Sequence, residues 1–288
     1  MRALVTTAVT TAVVLYLLAV GLGLGSDRLI FQPQPSSYSD ASPPFDRPIL
    51  KLRSGNGDRA ETISAVYLPN PQATYTILFS HGNGEDIGHN AEYFAILRQA
   101  GFAVFAYDYR GYGTSEGRPT EAGVYLDAQA AYDYLVGELK VPPERVLVMG
   151  RSVGSGPAVH LAASNRVGGL ILEAPFLSAF RVLTRVPLLP FDRFNNARKI
   201  GRVQAPVLVI HGREDEVIPF SHGQKLWERA NPQGAADAPL TPTGGKRHYW
   251  IDGAGHNNIF PVANRTYLEV IRQFAADIPR GAPSVPNR

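Results

Sequence analysis

RVLVMGRSVGSGPAVHLAASN, residues 145–165, decides how the rest of the chain is read. A continuous apolar run, RVLVMG, passes straight into Gly-x-Ser-x-Gly. The small side chains that follow suit a helix lying close against a sheet. A serine held at so abrupt a strand-to-helix junction needs neighbours two residues away that lack a Cβ, and Gly150 and Gly154 supply them. Pro157 falls in the first turn of that helix, where its missing N–H costs nothing. Ser152 is therefore the candidate nucleophile.

The same pattern occurs earlier, in GTSEG at 113–117. There the preceding strand ends near Tyr109, and GYGTSEGRPTEAG is a glycine-rich loop whose helix begins only around Glu121. Turns account for both glycines, so Ser115 is set aside.

Working outward, TYTILFS (74–80), FAVFAYDY (102–109), GGLILEA (168–174), APVLVIH (205–211) and RHYWID (247–252) join RVLVMG as strand candidates. Most are continuous runs, as expected of parallel strands covered on both faces. Two earlier alternating runs, ILKLRS (49–54) and ETISAVYLP (61–69), predict an antiparallel start. Between the strands, 121–138 carries one apolar helical face, through Val124, Ala128, Ala131, Tyr132 and Leu135. Asn90 and Gly101 bracket another helix as cap and terminator, and Ser221-x-x-Gln224 reads as a capping box. Tyr267, Val270, Ile271, Phe274 and Ile278 stripe the last helix. The alternation predicts one α/β domain, a mostly parallel, doubly wound sheet flanked by helices. LSAFRVLTRVPLLPFDRF (177–194) is long enough for a short lid but not for a large cap domain. It reads as a cover for the sheet edge or, through Leu188 and Leu189, as an apolar rim around an acyl chain.

A serine hydroxyl needs a base to take its proton, and that base needs an acid to fix its tautomer. Loops after parallel strands gather at one edge of a sheet. Asp215 follows APVLVIHG and His256 follows RHYWID, giving the chain order Ser, Asp, His. Glu173, at the end of its own strand, competes for the acidic role, and Glu214 to Glu216 also read as a solvated loop. Of the seven histidines, His160 and His248 read as structural, and His81 and His211 each precede a glycine at a strand end. Backbone N–H groups of Val153 and Asn83, the latter in HGNGEDIG, are the expected oxyanion donors. Because His256 must be neutral to act as base, activity is expected to fall below about pH 6–7.

Other chemistries fail on spacing. Ser152 stands where Gly-x-Gly-x-x-Gly needs its second glycine, and neither a Gly-x-x-x-x-Gly-Lys-Ser/Thr nor a His-Glu-x-x-His occurs. No nucleotide, metal or other cofactor is expected. A formal charge of +3 over 288 residues, with no basic-aromatic run, gives no sign of nucleic-acid binding. There is no cysteine, so disulfides and thiolate chemistry are excluded.

From Ala3 to Ser26 no side chain is charged. As a helix this stretch reaches about 35 Å, against a hydrocarbon core of roughly 30 Å. It predicts a single-pass anchor over 1–27, with the globular domain (28–278) outside the cytoplasmic membrane. A signal peptide cut near Ala19-Val20-Gly21 is the alternative. FQPQPSSYSDASPPFDRP reads as an irregular connector, and 279–288 as a flexible tail.

The runs YDYRGYGTSEGRPTE, VMGRSVGSGPAVHLA, FDRFNNARKIGRVQAPVLVIHGREDEVIPFSHG and IDGAGHNNI together resemble the α/β-hydrolase superfamily, over about 28–278. Within it they are most similar to membrane-associated α/β-hydrolase-domain proteins, which include eukaryotic protein depalmitoylases, and to their bacterial relatives. The resemblance implies a Ser152–Asp215–His256 triad and acyl transfer to water from an ester or thioester through an acyl-enzyme. Three departures stand out: an apolar N-terminus in place of a cysteine-rich one, Asn258 where relatives often carry Asp, and a longer polar loop at 231–246. The rival readings are an aminopeptidase-like serine peptidase of the same fold and a catalytically silent, membrane-tethered binding protein. The expected partner is a small or lipid-like acyl substrate.

Overall fold

Residues 10–11, 13–16, 20–21, 25–57, 60–184, 192–230 and 245–278 are described in this computed structural model. The proposed rim residues Leu188 and Leu189, most of the 231–246 loop and the 279–288 tail lie outside them, as does much of the predicted anchor. Among the described residues, no helix is long and apolar enough to cross a membrane.

Strands β1 (Leu50–Ser54), β2 (Glu61–Leu68), β3 (Thr76–Ser80), β4 (Ala103–Tyr107), β5 (Val146–Arg151), β6 (Gly169–Glu173), β7 (Val207–Gly212) and β8 (Lys246–Ile251) form one sheet in the order β1-β2-β4-β3-β5-β6-β7-β8. β2 runs antiparallel to both neighbours, and the remaining pairs are parallel. The antiparallel start and the parallel continuation are those expected from the alternating and continuous runs.

Every residue of β3, β4, β6 and β7 is buried, and the alternation of side chains explains why. Leu78, Val148, Leu170 and Val209 face one core with α2 (Glu121–Asp133), α3 (Ser155–Ser164) and α4 (Ser221–Arg229). Ile77, Leu147, Ile171 and Leu208 face the other core with α1 (Ala91–Gln99) and α5 (Ile259–Ala276). Each fully buried aliphatic side chain contributes roughly 1.5–3 kcal/mol, so a strand covered on both sides gains from an unbroken apolar run.

Two helix starts differ from expectation. Ser221 does not cap α4; the cap position is Phe220, already helical, because the chain turns at Pro219 and His222 N–H bonds its carbonyl. Ser221 is thereby one residue inside the helix, where its hydroxyl cannot reach the free N–H groups. Asn90 stands at the cap of α1 without capping it, since its amide donates to Glu85 Oε2 and the Asp86 carbonyl. Gly101 terminates that helix as expected, with φ +97°. Thr120 caps α2, its hydroxyl accepting from Gly123 N–H at 3.0 Å.

Candidate active site

Three loops leave the C-terminal edge of the parallel strands and meet. β5 turns sharply at Ser152, whose φ is +52°, a region few residues with a Cβ occupy. The turn is enforced by crowding. A Cβ on Gly154 would sit 2.1 Å from the Ser80 carbonyl oxygen, and one on Gly150 would sit 2.4 Å from that of Gly154. Beyond Ser152 a short 3-10 turn runs into α3.

His256, in the loop after β8, brings Nε2 within 3.0 Å of Ser152 Oγ and Nδ1 within 2.8 Å of Asp215 Oδ2. Asp215 follows β7, and its Oδ1 accepts from the N–H groups of Val217 and Ile218 at 2.9 and 2.7 Å. Burial works against a charge on Asp215. Hydrogen bonds from His211 and His256, the charge of His256 and the Ile218 N–H outweigh it and hold the carboxyl well below the usual range. With the acceptor carboxylate at Nδ1, the neutral imidazole keeps its proton there and offers Nε2 to the serine hydroxyl.

The competing residues sit elsewhere. Glu173 is tied to Arg151 Nε at 3.2 Å and to the Tyr267 hydroxyl. Glu216 accepts the backbone N–H of His256 at 3.1 Å, supporting the loop rather than the ring. Ser115 is used up in a loop stitch, its hydroxyl accepting from Ser64 N–H at 2.8 Å and donating to the Asp108 carbonyl at 3.1 Å. His160 stacks on Tyr125 at 3.9 Å, and burial, with Lys199 nearby, brings it down to about 4. His248 packs against Trp227 and Trp250. Asn258 Oδ1 accepts from Gly255 N–H at 2.7 Å, a bond within the histidine loop.

His211 is the residue that sequence reading undervalued. It is not merely the end of a strand, for its Nε2 lies 3.1 Å from Asp215 Oδ2. The signal was the four-residue spacing of the two across the turn that leaves β7.

A cavity of about 370 Å³ opens over Ser152 and His256. Asn83 and Val153 line it, as do Glu85, Arg151 and Asn257. The Asn83 side chain faces away to the N-terminal segment, where its amide donates to the Ile30 carbonyl and its oxygen accepts from Gln32 N–H and Tyr112 OH. The apolar part of the lining includes Leu29, Ile30, Phe176, Val182, Val217 and Ile218.

Alpha/beta hydrolase domain-containing protein 17B of Homo sapiens is 40% identical to this chain over 228 residues, covering 78% of the chain and 73% of that protein. The chain belongs to the α/β-hydrolase family. Protein 17C of Mus musculus is 42% identical over 208 residues, covering 71% of the chain and 60% of the relative. Residues 71–190 of this hydrolase match the family described as serine aminopeptidase, S33, a stretch that contains Ser152 but neither Asp215 nor His256. In fold it is similar to the Pyrococcus furiosus esterase Pf2001, with a TM-score of 0.67 at 18% identity, over 85% of this chain and 98% of that one.

Proposed function

We propose that this hydrolase cleaves carboxylic ester or thioester bonds by way of an acyl-enzyme on Ser152. The reading rests on one observation, the hydrogen-bond chain from Ser152 Oγ through His256 to Asp215, at 3.0 and 2.8 Å. His256 takes the serine proton as Oγ attacks the carbonyl carbon. The N–H groups of Val153 and Asn83 receive the charge that develops on the carbonyl oxygen. His256 then gives its proton to the departing alcohol or thiol, and water repeats the sequence to release the acid.

The apolar wall favours an acyl chain over a polar acid portion. Leu29 is 67% exposed and Val217 47%, so both have surface left for a chain to cover. Leu29→Ser and Val217→Ser are expected to lower kcat/KM for p-nitrophenyl octanoate about tenfold each while sparing the acetate. Equal losses on the two esters would argue against an acyl-chain wall. A peptidase reading has less support. Recognition of a free amine needs an unpaired carboxylate, whereas Glu85 in the cavity pairs with Arg151 at 3.0 Å.

The uncharged run from Ala3 to Ser26 supports membrane attachment, and Arg2 on its amino-terminal side favours an extracytoplasmic catalytic domain. Described residues 13–16 within it are helical and exposed. Full-length protein is expected to stay in the membrane pellet after alkaline carbonate extraction. Its release would sink the anchor.

A further inference from the structure

Asp215 Oδ2 faces two imidazoles. His256 Nδ1 is 2.8 Å from it and His211 Nε2 3.1 Å. The same Nε2 lies 3.0 Å from the Ile218 carbonyl oxygen. A carbonyl and an ionised carboxylate only accept, so the proton of His211 resides on Nε2 and is shared between them. The two acceptors mark the beginning and end of the acid loop, which His211 thus holds at both points.

The other ring nitrogen closes the argument. Nδ1 of His211 is buried, with no hydrogen-bond partner among the described residues. α4 crosses it so closely that a Cβ on Gly223 would lie 2.4 Å from Nδ1. No acceptor for Nδ1 stands among the described residues, so the hydrogen bonds of the ring are those made at Nε2. Around it stand Asp215, the Phe220 ring edge and His222 of α4, with Arg181 and Lys225 acting on His222. Burial above all, with Lys225 and Arg181 nearby, brings His222 down to about 4, so no imidazolium adjoins His211 near neutral pH.

We infer that His211 is a positioning residue for catalysis, a donor that fixes the Asp215 carboxylate so that Oδ2 faces His256. This rests on the triad reading of Ser152, Asp215 and His256.

The test compares His211→Leu with His211→Gln in the full chain, using p-nitrophenyl butyrate. Leucine fills the space without a donor, whereas the glutamine amide can reach Asp215. His211→Leu is expected to lower kcat about tenfold or more with KM unchanged. It should also move the acid limb of kcat/KM to higher pH, since a carboxylate short of one donor attracts the His256 imidazolium more strongly. His211→Gln should recover most of both. Should the leucine variant fail to fold, His211→Asn, polar but too short to reach, carries the same expectation. Equal losses in the donor and non-donor variants with an unmoved acid limb, or a fully active His211→Leu, would overturn the inference. If Ser152→Ala is inactive while His211→Leu is unaltered, only the positioning role falls; if Ser152→Ala stays active, the triad reading itself fails.

Discussion

Ser152→Ala is expected to lower kcat on an activated ester by about six orders of magnitude, as removal of a triad nucleophile does elsewhere. What remains should be the modest acceleration from oxyanion donors and binding. The effect is large because the Ser152 hydroxyl is the group that lies 3.0 Å from His256 Nε2. Ser115→Ala makes the matching control. That change removes a loop stitch between Ser64 and Asp108, worth about 1 kcal/mol of stability, and should leave kcat within about twofold of the parent. Steady-state kinetics with a thermal melt on each variant separates the two effects. An active Ser152→Ala beside an inactive Ser115→Ala would reverse the assignment.

Asp215→Asn is expected to lower kcat by about 10⁴-fold. The geometry dictates which way the new amide lies. Val217 and Ile218 N–H groups both donate to the Oδ1 position, so the amide oxygen must stay there. The NH₂ then takes the place of Oδ2, where it faces the Nδ1 of His256 and the Nε2 of His211. An NH₂ cannot accept from either. His256 is driven to carry its proton on Nε2, the tautomer that cannot take one from Ser152. A kcat within tenfold of the parent would mean that another acid orients the ring.

Much of this site was legible because its parts obey the geometry of a parallel sheet. RVLVMG ran directly into Gly-x-Ser-x-Gly, and the loops after APVLVIHG and RHYWID had to emerge at the same edge. Loop position therefore separated Asp215 from Glu173, although the two are chemically alike. The Ser115 pattern was rejected for a physical reason that the fold bears out: its glycines serve turns, with Gly113 and Gly117 both at positive φ.

The rest was hidden because local pattern says little about tertiary approach. The connector after Ser26 has no periodicity and reads as a linker, yet Phe31 is buried edge-on against Phe194 at 5.7 Å. Its Tyr38 hydroxyl donates to buried Asp108 at 2.5 Å. Leu29 and Ile30 likewise follow an apolar run and give no sign that they form a cavity wall. Ser221 carried a capping signature that a turn one residue earlier made redundant, and Asn90 gave its amide to a neighbouring loop. His211 reads from sequence only as the end of a strand, because a strand residue's partner is set by the turn that follows, which composition does not reveal.

The most direct test is to treat the protein with a fluorophosphonate, digest it and locate the phosphonyl group by mass spectrometry. A single adduct on the hydroxyl of Ser152 is expected, lost in Ser152→Ala and strongly slowed in His256→Ala. An adduct on Ser115, or a folded, ester-cleaving protein that takes no adduct at all, would contradict that expectation.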